Sequence, residues 1–114
     1  MGYFHLKSKP IVVLTTCANT GEADEIAITL VEKKLAACVN RVDGLMSTYK
    51  WNSKIQQEHE ILLIIKTTNK NFEELKKTIQ DRTSYALPEI IALPIYKGSA
   101  KYIKWLYESL EDGY

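Results

Sequence analysis

The sequence predicts an α+β fold of the ferredoxin-like type, a split β-α-β sandwich in the order βαββαβ with one additional C-terminal helix. Three observations predict it. Apolar strand patterns alternate with amphipathic helical segments, two long strands flank a short turn, and a last strand is bracketed by Pro88 and Pro94. Because proline cannot donate to a strand ladder, that strand is expected at a sheet edge. Residues 90–93 are too apolar to face water, so we expect a helix or a second chain to cover them.

The first strand and the first helix are predicted between residues 10 and 35. Residues 11–14 are uniformly apolar, which is typical of a short strand buried on both faces. Asn19 and Glu22 form a capping pair, and apolar residues then recur at helical spacing. The pattern predicts a helix over residues 20–35.

A long hairpin follows this helix. The second strand begins near residue 37, with a bulge predicted at Gly44, and Asn52 and Ser53 form the turn. The return strand includes residues 61–65, which are apolar on both faces. One layer of helices cannot cover both faces, so the hairpin predicts burial of the remaining apolar surface between subunits.

The second half of the chain completes the pattern. Asn71 and Glu74 form a second capping pair, which predicts a helix ending near Asp81. The proline-bracketed strand comes next. Gly98 and Ser99 then open a last helix with one apolar side.

Composition excludes several classes of protein. The 114 residues predict one domain over residues 10–114, preceded by an N-terminal tail of residues 1–9. A formal charge of +1 gives no general attraction to nucleic acid or anionic lipid. The chain has no apolar run of membrane-spanning length and no signal-peptide core, so we expect a cytoplasmic protein that binds neither membrane nor nucleic acid.

The two cysteines, Cys17 and Cys38, are too few for a disulfide framework and lack the spacing of a zinc site. Structural burial is the simplest interpretation. In the predicted topology the thiols lie roughly 15 Å apart, at opposite ends of the sheet, so one chain cannot place both on one ion. A second alternative is a reactive thiol at Cys17, because the helix N-terminus that follows it favours thiolate. The two histidines, His5 and His59, are expected at the surface.

Several motifs occur in order between residues 10 and 110. They are Thr15-Thr16-Cys17, Leu35-Ala36-Ala37-Cys38-Val39-Asn40, Ser47-Thr48-Tyr49-Lys50-Trp51, Leu63-Ile64-Ile65-Lys66-Thr67, Tyr85, Pro88-Glu89-Ile90, and Gly98-Ser99 through Trp105-Leu106. Together they resemble the CutA family, the divalent-cation tolerance proteins. The resemblance implies a tight homotrimer in which hairpins and edge strands join sheets between subunits. It also implies tolerance of copper or another divalent metal, with copper bound by some members and no enzymatic reaction.

The chain departs from that family at three positions. Thr83 stands where many relatives have histidine, Ala86 follows the motif tyrosine in place of Glu or Gln, and Ser53 replaces a turn glycine. Without the histidine, a copper site needs other ligands. The candidate metal ligands are Cys17, Cys38 and Glu89.

A second candidate cluster is predicted around an inter-subunit cleft. It consists of Tyr49, Trp51, Lys66, Tyr85 and Glu89. One interpretation is an interface, with aromatic packing and a Lys66–Glu89 ion pair. Another is a cleft that binds a small anionic ligand through Lys66, by analogy with the ferredoxin-like trimers of PII signalling proteins. A structural scaffold that presents partner-binding surfaces is the third alternative.

Overall fold

The computed structural model describes residues 8–110 and confirms the α+β fold with the predicted order of elements. The elements are β1 (Pro10–Cys17), α1 (Thr20–Glu32), β2 (Cys38–Trp51), β3 (Lys54–Thr68), a 3₁₀ turn (Asn69–Asn71), α2 (Phe72–Arg82), β4 (Ile90–Pro94) and α3 (Ala100–Leu110). Most of the predicted tail, including His5, lies outside the described residues. Within them, no helix is both long and apolar enough to cross a membrane.

The four strands form one antiparallel sheet in the order β2-β3-β1-β4. The proline-bracketed strand β4 lies at one edge, as predicted, and pairs only with β1 among the described strands. Pro94 is its last residue and Pro88 precedes it. Neither proline therefore interrupts a central ladder.

One face of the sheet packs against α1 and α2. Its strand residues alternate with those of the opposite face, so Val13, Leu63 and Ile65 join Ile26 and Leu75 in a fully buried core. We call the opposite face of the sheet the open face, because α1 and α2 do not cover it. By register it carries Val12, Leu14, Leu62, Ile64 and Lys66, together with Cys38, Val42, Ile91 and Leu93.

Helix α3 covers one end of the open face. Leu106 and Leu110 are buried against Ala37, and Tyr102 lies close to Cys38. Ser99 caps the helix through its carbonyl, which accepts from the Ile103 N–H at 3.0 Å. The additional helix thus partly covers the open face and leaves the rest of it exposed.

The β2–β3 hairpin extends well past the rest of the sheet. Residues 61–68 of β3 pair with β1, whereas residues 54–60 pair only with β2. Seven residues of free hairpin span about 23 Å, and the molecule is 56 Å long. A bulge interrupts the register at Gly44, whose φ of 80° is in the left-handed region, as the sequence predicts.

The end of α1 and the capping of α2 differ from prediction. Helix α1 ends at Glu32, three residues early, because Lys34 takes a φ of 57° and the N–H groups of Leu35 and Ala36 both bond the Leu30 carbonyl. Asn71 occupies the N-cap position of α2, as predicted, but its side chain makes no capping hydrogen bond. That side chain donates instead to Thr68 Oγ1, inside the preceding 3₁₀ turn.

Candidate functional site

A groove of about 830 Å³ lies between the free part of the hairpin and the loop before β4, residues 83–89. By register, its strand residues at positions 47, 49, 51, 56, 58 and 60 share one side of the hairpin, continuous with the open face. The lining residues are Thr16, Ser47, Thr48, Tyr49, Trp51, Gln56, Glu58, Glu60, Tyr85, Ala86, Leu87 and Glu89. The groove thus collects side chains from β1, both arms of the hairpin and the loop.

Two tyrosine–glutamate hydrogen bonds organise the groove. The Tyr85 hydroxyl donates to Glu60 Oε2 at 2.7 Å, across the space between the loop and the hairpin. The Tyr49 hydroxyl donates to Glu58 Oε1, across the β2–β3 ladder. The pKa of Tyr85 is raised mainly by burial and then by the bond to Glu60, so this phenol stays protonated at neutral pH.

The charge of the groove has one sign. Glu58, Glu60 and Glu89 line it, and none of its twelve lining residues is Lys, Arg or His. Among the described residues, none of the three carboxylates forms a salt bridge. The groove of a single chain therefore attracts cations and repels anions.

Helix α1 holds the loop in place. Glu22, near the helix N-terminus, accepts the Ser84 N–H on Oε1 at 3.0 Å. Its other oxygen is buried without a hydrogen-bond partner. The Thr83 hydroxyl accepts the Tyr85 N–H at 3.1 Å. These bonds fix the backbone from which Tyr85 reaches Glu60.

Four of the five predicted cleft residues meet here, and the fifth does not. Tyr49, Trp51, Tyr85 and Glu89 line the groove, whereas Lys66 lies six residues from Glu60 along β3, about 20 Å away. Lys66 donates to Asn40 Oδ1 instead. The predicted Lys66–Glu89 pair is therefore absent within one chain.

The predicted metal ligands are dispersed. Cys17 and Cys38 pair with Ile61 and Lys66, positions five residues apart on β3, or about 16 Å. Because residues 61 and 66 differ in parity, the two thiols also lie on opposite faces of the sheet. Glu89 lies in the groove. Within residues 8–110, no three carboxylate, imidazole or thiol groups are close enough to hold one metal ion.

The prediction of a depressed pKa for Cys17 is wrong. Its side chain is only 1 % exposed, and burial, followed by the charges of Glu22 and Glu60, raises the pKa of the thiol to about 11. At neutral pH Cys17 is a neutral, inaccessible thiol, so the reactive-thiol alternative is not supported.

Glu58 and Glu60 are functional candidates that sequence reasoning missed. Their signal is present, because acidic residues alternate at positions 58 and 60, and by register Tyr49 lies on the same side of the paired strand. A polar alternation near a turn ordinarily indicates a solvated edge. Only the loop from residue 83, which brings Tyr85 over Glu60, turns that edge into one wall of a groove.

The fold and the groove define an α+β protein of the ferredoxin-like class with a free hairpin arm. Residues 11–109 match the family described as CutA1 divalent ion tolerance protein, and the chain belongs to that family. It is 45 % identical to the divalent-cation tolerance protein CutA of Thermus thermophilus over 98 residues, 86 % of this chain and 95 % of the relative.

The same family relationship extends to plants. The chain is 46 % identical to "Protein CutA, chloroplastic" of Arabidopsis thaliana, covering 90 % of this chain but only 56 % of that protein's length. The crystal structure of CutA1 from Oryza sativa superposes with a TM-score of 0.88 at 40 % identity, over 93 % of this chain and 97 % of that one. Of these three relatives, the one from Thermus thermophilus is named for tolerance of divalent cations.

Proposed function

We propose that the protein acts in tolerance of divalent metal ions as a non-enzymatic homotrimer, with copper as the first metal to test. Membership of the divalent ion tolerance family supports the role in general. The observation that supports the trimer is the apolar open face, which α1 and α2 do not cover.

The open face is unusually apolar for a surface in water. Val42, Ile91 and Leu93 are 42 %, 48 % and 49 % exposed, and half-buried apolar residues of β1 and β3 lie between them. Continuous apolar surface of this kind is typical of a protein interface. Edge strands β2 and β4 lie on either side of it, so a neighbouring chain can also pair with them.

Assembly also bears on metal binding. Because no three candidate ligands converge within the described part of one chain, we propose that a metal site uses ligands from more than one subunit. Cys38 lies on the open face and is half-buried, and Glu89 is exposed beside the groove. Both can meet a neighbour. Cys17 is buried on the other face and is the weakest of the three candidates.

Sedimentation velocity tests the assembly. A charge on the open face, in Leu93→Asp, should dissociate the trimer because an unpaired carboxylate would be buried at the interface. Ile28→Asp is the matched control, since Ile28 is 58 % exposed on α1, the helix layer, and should leave the trimer intact. A monomeric wild-type chain would refute the proposal.

Calorimetric titration tests the metal. Copper(I) and copper(II) should bind the wild-type assembly. They should bind the Leu93→Asp chain weakly or not at all, and the Cys38→Ser and Glu89→Gln variants less tightly than wild type. Cys17→Ser should have the smallest effect of the three. Equal binding by wild type and Leu93→Asp would exclude a site shared between subunits.

The other predicted roles receive less support. An anionic ligand would face three carboxylates in the groove, so a PII-like sensor would need a cation such as Lys66 from a neighbouring subunit. A thermal-shift screen with and without Lys66→Ala tests it. Cytoplasmic location stays a proposal for cell fractionation to test.

A further inference from the structure

We propose that residues 8–10 form a strap that holds α3 over the end of the open face, and that α3 detaches as a unit when the strap is weakened. Detachment extends the apolar open face at the end where β2 begins. The inference is drawn from contacts within one chain, so it depends on neither the metal role nor the trimer.

Helix α3 is attached to the sheet through a small apolar cluster of its own. Of its eleven described residues, Leu106 and Leu110 are buried, and they pack with Ala37 and Ile95 rather than with the main core. An element with so few buried apolar side chains opens at a lower free energy than the rest of the fold. Contacts outside this cluster therefore matter for the position of α3.

The chain reaches α3 through a segment with little packing. Residues 95–99 belong to neither a strand nor a helix, and residues 96–99 are all exposed. Segments of this kind absorb the change in backbone angles when a neighbouring element moves. Helix α3 can therefore leave the sheet without a change in the pairing of β4.

One side of the strap is bonded to the 3₁₀ turn that follows β3. Ser8 Oγ accepts the Lys70 N–H at 2.6 Å, and the Lys9 carbonyl accepts the Asn69 N–H at 2.8 Å. These bonds extend the pairing of β1 with β3, which begins at Pro10. They attach the strap to the central part of the sheet.

The other side of the strap is bonded to α3 and to the end of β4. The Tyr107 hydroxyl donates to the Ser8 carbonyl at 2.8 Å, a contact between residues 99 positions apart. The Pro10 carbonyl accepts the Ile95 N–H at 3.1 Å. The strap thus connects α3, whose own apolar contact is small, to the turn after β3.

Release of α3 changes the surface of the molecule. Ala37, Leu106 and Leu110 are 9 %, 0 % and 6 % exposed while α3 is in place, and all three become accessible when it detaches. Ala37 directly precedes β2, whose first residue lies on the open face. The strap therefore controls how far the apolar open face extends.

Hydrogen exchange measured by mass spectrometry on the full chain tests the strap. Tyr107→Phe removes the donor to the Ser8 carbonyl and should raise the exchange rate of the α3 amides about threefold or more. The α1 amides should not change, because α1 packs in the main core. Tyr96→Phe is the control for the loss of a hydroxyl, since that side chain is 90 % exposed and precedes α3.

Ser8→Ala distinguishes a strap from a local contact. It removes the Oγ bond to the Lys70 N–H, on the side away from α3, and leaves the carbonyl that accepts from Tyr107. A strap transmits this loss, so the α3 amides should again exchange faster, by about twofold or more. The double variant should show less than the product of the two single effects. Unchanged α3 exchange in Tyr107→Phe, an effect of Ser8→Ala confined to residues 69–71, or equal acceleration in α1 would overturn the proposal.

Discussion

The hydroxyl of Tyr85 donates a 2.7 Å hydrogen bond to Oε2 of Glu60 and thereby connects the loop before β4 to the free part of the hairpin. The two residues are 25 positions apart in the sequence, and no strand pairing brings them together. The bond closes one side of the groove.

Removal of this bond should be measurable. Tyr85→Phe leaves the ring in place but removes the donor to a charged acceptor, which should lower the free energy of unfolding by about 1–2 kcal/mol. Urea denaturation at one fixed protein concentration measures it. Tyr96→Phe is the control, since that side chain is 90 % exposed. The same loss in both variants would show that the hydroxyl contact contributes nothing particular.

The two asparagines proposed as caps should behave differently. Asn19 accepts the Glu22 N–H on Oδ1 at 2.9 Å, so Asn19→Ala should destabilise the protein by about 1 kcal/mol. The Asn71 side chain makes no capping bond to α2 and donates to Thr68 Oγ1 at 3.2 Å, so Asn71→Ala should destabilise the protein less than Asn19→Ala. Chemical denaturation ranks them. A larger loss for Asn71→Ala would contradict the absence of a side-chain capping bond at the start of α2.

A glycine before α3 is required by close packing. A Cβ at Gly98 would lie 2.8 Å from Ile103 Cδ1 and 2.9 Å from Cγ1, so Gly98→Ala should destabilise the fold by about 1–3 kcal/mol. At Gly21 the nearest atom is Asn19 Oδ1 at an ordinary 3.5 Å, which makes Gly21→Ala the control. In thermal unfolding, Gly98→Ala should lower the melting temperature less in an Ile103→Ala background than in wild type, because the clashing side chain is then absent. An equal loss in both backgrounds would place the strain elsewhere.

Alkaline pH should destabilise the protein through Cys17. Its pKa rises from 9.0 to about 11 on folding, so the unfolded state loses this proton first. The thiol's contribution is complete below pH 9 and declines as pH rises through 11. Denaturation at several pH values should give a steeper decline for wild type than for Cys17→Ala. Parallel profiles would mean that the thiol titrates alike in both states.

Local rules predicted most of the framework. The bulge at Gly44, the cap at Asn19 and the edge position of β4 each follow from one or two residues, because positive φ, side-chain capping and the missing proline N–H act over short distances. The end of α1 was placed too late. The pattern of charges permits a longer helix, but the positive φ of Lys34 and the bonds from the Leu35 and Ala36 N–H groups to the Leu30 carbonyl end it.

The candidate site was only partly predictable. Tyr49, Trp51, Tyr85 and Glu89 do share a groove, whereas Lys66 points to a different end of the sheet. Register decides this, because six positions along a strand amount to about 20 Å. Residues predicted to form one cluster can therefore lie far apart when one of them is several positions further along a strand.

The sequence by itself determined the order of elements, the edge strand and the family, because periodicity, proline chemistry and short motifs are local properties. Only the tertiary structure decided which charges meet. The loop that brings Tyr85 to Glu60 gives the groove its acidic character, and burial beside Glu22 and Glu60 raises the pKa of Cys17. Electrostatic environment depends on distances through space, and those are set by packing and strand register rather than by neighbours along the chain.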